Sequence, residues 1–223
     1  MFGLKARRNE KSSVLRSGID TRPSLRQMVP VPQDGRTEGI CAGTLILTEL
    51  GWRTVESLQA GDAVMTFDHG YRPVRKIARG LSLAGGADCP DHGHVMHVPV
   101  AALGNHNPMV LQPDQHVMIE SDLAEEAFGD PFVLVPAAAL EGYRGISAAQ
   151  SAQRLSVYTV QFADDEVIYV NGAGLVHCGG LSKIGLEQMI GDSLPSYISL
   201  PVLAARAVVD ALKEADEQSA LLV

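Results

Sequence analysis

From Gly39 onward the chain alternates short apolar runs with turn residues. Thr44-Leu-Ile-Leu-Thr is followed by Glu49-Leu-Gly-Trp and Arg53-Thr-Val-Glu, then by Ala63-Val-Met-Thr-Phe, which ends at Asp68-His-Gly-Tyr. Further runs cover residues 74–77, 95–100, 109–112, 116–120, 132–135, 156–162 and 167–171. Brief runs rich in β-branched residues and bounded by Gly, Asp and Asn predict many short strands, in a sandwich or barrel-like all-β unit. Asp68-His-Gly and Asn171-Gly predict hairpin corners, because glycine reaches positive φ without steric cost.

Both flanks differ in texture. Residues 1–38 hold seven Arg or Lys within the first 26 positions and prolines at 23, 30 and 32, with no sustained apolar period. That segment reads as a disordered, flexible N-terminal extension, too poor in apolar side chains to offset the entropy of ordering it. The expected division is an extension over 1–38, a β domain over 39–180 and a tail over 181–223. Within the tail, the stretch from Leu200 to Asp216 reads as an amphipathic helix with Pro201 in its first turn. Val202, Leu203, Ala207, Val209 and Leu212 are its expected apolar stripe, packed on the domain or paired across a homodimer.

Charge narrows the partners. With 26 acidic and 18 basic residues the formal net charge is −8, and such a surface repels nucleic-acid backbones. No stretch approaches the roughly 18 uninterrupted apolar residues of a membrane span, and the basic N-terminus has no apolar run behind it. A conventional secretory signal is therefore not expected. The cytoplasm is the default compartment, with secretion by a signal-less route left open.

Three cysteines, Cys41, Cys89 and Cys178, are too few and too widely spaced for a disulfide framework. Cys89, His92, His94 and His97 could supply a tetrahedral zinc site, but strand alternation sets His97 on the opposite face from His92 and His94. A polar loop between strands is the plainer account. Cys41 stands where the polar leader meets the first strand, and one hairpin later Val55-Glu-Ser-Leu-Gln-Ala-Gly-Asp leads into the next.

These two features, with Pro73-Val-Arg-Lys-Ile, Asp114-Gln-His and Glu166-Val-Ile-Tyr-Val-Asn-Gly as later landmarks, make the chain resemble the Hedgehog/intein (Hint) superfamily from about Cys41 to about Cys178. Bacterial Hint-domain proteins are the most similar branch. The resemblance implies a compact, horseshoe-like all-β fold and autoprocessing without a cofactor. In that chemistry the Cys41 thiol attacks the Ile40 carbonyl, an N–S acyl shift gives a thioester, and the freed nitrogen takes a proton. A thiol serves once its pKa falls or a base stands near, and an imidazole with pKa near ~6.5 suits the protonation.

By the same resemblance His116 is the candidate acid. Asp165, in the run Asp164-Asp165-Glu166, is the carboxylate that would orient His116 or take the thiol proton. The chain ends of such a domain meet, so Cys178 would lie near Cys41, with a reversible disulfide as a gate and His177 stabilising a thiolate. His69 reads as a turn residue.

This chain departs from the pattern at three points. Pro113 stands where a hydroxyl residue is usual, the β-branched Ile40 crowds its own carbonyl, and Cys178 replaces the asparagine whose cyclisation completes splicing. The expected activity is thus cysteine-dependent self-cleavage at Ile40–Cys41, without full splicing. Its substrate is the chain's own N-terminal segment, and water or a small acceptor nucleophile resolves the thioester. The rival reading is a degenerate Hint fold kept as an interaction module, with the C-terminal helix as its contact surface.

Overall fold

The computed structural model describes residues 39–82, 94–151, 154–181 and 197–220. The expected N-terminal extension, Cys89 and His92 lie outside these residues. The strands are β1 (Ile40–Cys41), β2 (Leu45–Thr48), β3 (Gly51–Thr54), β4 (Ala63–Thr66), β5 (Gly70–Pro73), β6 (Lys76–Leu81), β7 (His94–Val98), β8 (Met109–Leu111), β9 (His116–Glu120), β10 (Phe132–Pro136), β11 (Ser147–Gln150), β12 (Ser156–Gln161), β13 (Glu166–Val170) and β14 (Gly174–Cys178). Two helices complete the list, α1 (Asp122–Phe128) and α2 (Val202–Ala220). This is the mostly β architecture that the spacing of apolar runs predicts, with the expected helix near the C-terminus.

The strands form three antiparallel sheets. The largest runs β10-β9-β14-β13-β2-β4-β5, with β3 paired to β2, and the smaller two run β1-β12-β6 and β11-β7-β8. Strand alternation divides the large sheet's residues between two faces. Ile46, Val64, Val117, Ile168, Val170 and Val176 look into the main core. Met118, Leu134 and Val167 look the other way and pack with Phe67, Phe132, Leu175 and Tyr197. The large sheet and the β1-β12-β6 sheet meet where β12 runs out. There Phe162 bridges to Gly180, and the Leu181 N–H donates to the Phe162 carbonyl at 3.0 Å.

Both expected hairpin corners are present. Gly70 sits at φ +65° between β4 and β5, and Asn171 and Gly172 take φ values of +48° and +122° between β13 and β14. Asn171 tolerates this backbone through its side chain. Its Oδ1 accepts from the Leu45 N–H at 2.7 Å, and its own N–H donates to the Leu45 carbonyl at 2.9 Å, which ties the corner to β2.

Some expectations need correction. Glu49 and Leu50 form a turn rather than strand, and after Thr54 the chain closes a short 3-10 turn at Val55–Ser57 instead of extending. The helix α2 buries Ala204, Ala205, Val208 and Val209, while Leu203 is 71% and Val202 43% exposed; Ala207 is exposed as well. The stripe is therefore one of small side chains, which let the helix approach the turn at Ala137–Leu140 and β10 closely. The larger Leu203 falls outside the angular sector that faces the domain. Arg144 fixes the far end of α2 through two bonds to Asp216, at 2.6 and 2.7 Å.

Candidate active site around Cys41, His116 and His177

Cys41 lies in the two-residue strand β1, opposite Val157 of β12, with Ile40 opposite Tyr158. The Ala42 N–H donates to the Ser156 carbonyl at 2.9 Å, so Ala42–Ser156 is a hydrogen-bonded pair. Alternation along an antiparallel ladder makes Cys41–Val157 a non-hydrogen-bonded pair and Ile40–Tyr158 a bonded one. The Ile40 carbonyl is thus turned toward the Tyr158 N–H, and the Cys41 N–H toward the side away from β12. The Cys41 carbonyl accepts from Thr44 N–H at 3.3 Å, which closes the turn into β2.

One residue upstream, the Gly39 carbonyl accepts a bond of 3.0 Å from Gln112 Nε2. A Cβ at Gly39 would stand 2.3 Å from Val157 Cγ1, so this position admits only glycine at the present strand spacing. Burial pushes the Cys41 thiol up from its ordinary value of 9.0 to about 11, because a thiolate loses solvation there. A lowered thiol pKa, one of the two activating routes open to such a cysteine, is not what the fold provides. The proton must instead pass to a base as the sulfur reacts.

The second group of residues sits on the large sheet. β14 joins β9 through Val176 and Val117, and the same register sets His177 opposite His116. Their rings meet edge to face, with centroids 6.4 Å apart and an interplanar angle of 83°. His116 is buried, whereas the His177 side chain keeps 13% of its surface and its Nε2 lies 3.9 Å from Asp165 Oδ2. Asp165 is buried too, and its Oδ1 accepts from Gly180 N–H at 2.8 Å. Of the acidic run, only Asp164 is solvent-exposed.

Tyr197 packs on the other side of the His177 ring, centroids 6.2 Å apart, and donates its hydroxyl proton to Asp68 Oδ2 at 2.7 Å. Burial foremost, then the Asp68 bond and charge, raise the Tyr197 phenol far above its usual range, so it stays a donor.

Cys178 is buried on the opposite face of β14 from His177, and Cys41 and Cys178 are both buried thiols. The structure therefore holds no disulfide between them. His94 is partly buried on β7 and His97 exposed, in keeping with alternation. Among the described residues no three His, Cys, Asp or Glu side chains gather to hold a metal.

The sequence did not single out Gln112 or Gln115, and it named Glu166 only within the acidic run and the landmark that follows it. Gln115 is wholly buried. Its Nε2 donates to the carbonyls of His116 at 3.2 Å and His177 at 2.9 Å, while its Oε1 has no partner. An orphaned buried acceptor costs about 1–3 kcal/mol. Glu166 is buried beside Cys178 in the β13–β14 register, and its carboxylate meets His69 Nδ1 at 2.9 Å and Arg72 Nε at 3.6 Å. His69 thus occupies the expected turn and also makes a hydrogen bond to a buried carboxylate. The nearest sequence clue to the glutamines is that Gln112 and Gln115 flank Pro113-Asp114 just ahead of His116.

A cavity of about 510 Å³ opens just downstream of Cys41. Ala42, Gly43, Thr44, His97, Met109 and Asn171 are among its walls. Its size lies within the range of small-molecule sites.

The model of the Hint domain family matches residues 39–175. The chain belongs to the Hint domain family. Three solved structures are among those the chain is similar to. The bacterial intein-like domain from Clostridium thermocellum is 18% identical, with 64% of this chain and 99% of that one covered and a TM-score of 0.48. A splice-inactive AceL NrdHF class 3 split intein is 13% identical over 64% of this chain and 97% of its own, TM-score 0.43. The gp41-1 intein is 11% identical over 64% and 99%, TM-score 0.38. No curated protein matches the chain. Among the described residues of this Hint domain protein, no helix is long and apolar enough to cross a membrane.

Proposed function

We infer that this Hint domain cleaves its own backbone between Ile40 and Cys41. The observation that carries the reading is the disposition of that peptide: a buried cysteine whose preceding carbonyl is turned to a backbone N–H, and whose own N–H is turned away from the strand partner. The Tyr158 N–H polarises the Ile40 carbonyl and stabilises the negative charge that its oxygen gains as the carbon becomes tetrahedral. Cys41 Sγ forms the C–S bond and loses its proton to a base, and the C–N bond breaks. The nitrogen leaves as an amine after taking a proton from His116. Water or a small acceptor in the cavity beside Ala42 then forms a C–O or C–N bond to the same carbon, and the sulfur departs as the thiol.

His177 and Asp165 serve this scheme as the group that tunes His116. Asp165 holds His177, and His177 meets His116 edge to face. With cysteine at position 178 in place of the asparagine, the chemistry stops at cleavage.

Mass spectrometry of the full chain, incubated with and without dithiothreitol beside Cys41→Ala, tests the proposal. A fragment of residues 41–223 that needs the cysteine supports it. An intact chain under strong thiol at alkaline pH removes it.

A second reading has its own support. The thiol raised to about 11 is a poor nucleophile at neutral pH, and α2 leaves Val202 and Leu203 in solvent. A degenerate Hint fold that binds a partner, or a second copy of itself, through that face accounts for both. Uncleaved protein whose self-association is abolished by Leu203→Glu would favour it.

A further inference from the structure

We propose that Gln115 is a positioning residue that sets the placement of the His116 and His177 rings, a role that rests on the self-cleavage reading. The registered ladder between β9 and β14 consists of the Val176–Val117 pair. The imidazole-bearing residues lie one step beyond it, at the end of the registered ladder. Gln115 clamps that step with a single carboxamide, whose two N–H donors reach the carbonyls of His116 and His177.

The amide cannot be turned over, because Oε1 would then face two carbonyl oxygens. Gln115 is itself immobilised. Its N–H donates to the Gln112 carbonyl at 3.0 Å, and its carbonyl accepts from Ala137 N–H at 2.9 Å. Alternation puts its side chain on the opposite face from the His116 ring, so it acts on both imidazoles through their backbones and touches neither ring.

The unpartnered Oε1 offsets part of what the two donated bonds contribute to stability. A methionine would fill the same volume and remove the orphaned oxygen, but it would leave the carbonyls of His116 and His177 without these two donors. The residue tolerates an orphaned oxygen in order to keep two aimed N–H groups.

The test separates geometry from catalysis. In the full chain carrying Cys41→Ala, the ring signals of His116 and His177 are titrated by NMR, with and without Gln115→Met. In parallel, cleavage of the Cys41 protein is compared with its Gln115→Met form. The proposal expects the methionine form to stay folded, its two imidazole titrations to move, and cleavage to slow about tenfold or more.

Superimposable imidazole titrations overturn the proposal whatever the cleavage result. If the parent protein does not cleave at all, the self-cleavage reading falls and the titrations alone decide the positioning role. Should Gln115→Met fail to fold, Gln115→Glu replaces it. There the introduced carboxyl donates one hydrogen bond when neutral and none when ionised. The imidazole titrations should then show an inflection at that ionisation, and its absence overturns the proposal.

Discussion

Gln112 and Gly39 stand 73 positions apart in sequence and are joined by one hydrogen bond of 3.0 Å, from the Gln112 carboxamide to the Gly39 carbonyl. Gln112 belongs to the segment that leads to His116, and Gly39 lies two residues before Cys41. The bond therefore couples the upstream side of the reacting peptide to the candidate acid. Gln112→Leu removes it while keeping bulk. A net loss of about 0.5–1.5 kcal/mol for one hydrogen bond corresponds to a roughly 2- to 12-fold slower release of the N-terminal fragment, read by timed mass spectrometry. Gly39→Ala should slow release further, since its Cβ forces β1 and β12 apart at Val157.

The cysteine should also leave a signature in pH. With the thiol at about 11, only about one Cys41 in ten thousand is ionised at pH 7, and the fraction rises tenfold per unit. With hydroxide as the base that takes the thiol proton, cleavage should therefore climb with slope near one between pH 7 and 10. The sign for stability is opposite. Between 9.0 and about 11 the unfolded chain releases a proton that the folded chain retains, so stability, fully present below 9, falls as pH rises through that window. The whole effect is about 2–3 kcal/mol. Urea denaturation at pH 8 and pH 10.5 should show it in the parent and not in Cys41→Ala.

Strands such as β2, β9 and β13 were legible because β-branched and apolar residues recur there between turn residues. β11 was not, because Ser147-Ala-Ala-Gln carries no such side chain and owes its extended state to pairing with β7. The helix α1 is seven residues long, too short to show a period, and its Gly129 cap takes a left-handed φ of +80° that only the fold reveals. Cys41, His116 and His177 could be picked out by type and landmark. Gln115 could not, since its meaning lies in a contact with the His177 carbonyl 62 positions away. The rise in the thiol pKa depends on how β12 covers β1, and no local pattern encodes that.

Asn171 offers a test of how firmly the β13–β14 corner is held. Asn171→Ala leaves the half-buried Leu45 N–H without its 2.7 Å acceptor and places an alanine at φ +48°. The unsatisfied donor costs about 1–3 kcal/mol and the left-handed backbone about 1–2 kcal/mol, so a loss of roughly 2–5 kcal/mol is expected. Asn171→Gly keeps the backbone free and should forfeit only the first part. Thermal melts of the two variants that coincide would show that the backbone conformation carries no strain.

The C-terminal helix supplies a contrast in which two apolar side chains of the same element should behave oppositely. Val208 is fully buried against the domain and Leu203 is 71% exposed, although the larger leucine is the more apolar. Val208→Asp inserts a charge where no partner exists and should cost at least about 3 kcal/mol. Leu203→Asp should change stability by no more than about 0.5 kcal/mol, because the side chain is already in water. If α2 instead docks a second copy through the Val202–Leu203 face, Leu203→Asp would lower the apparent stability in a manner that depends on protein concentration. Melts at two concentrations, for the parent and both variants, distinguish a helix that only covers its own domain from one that also serves a partner.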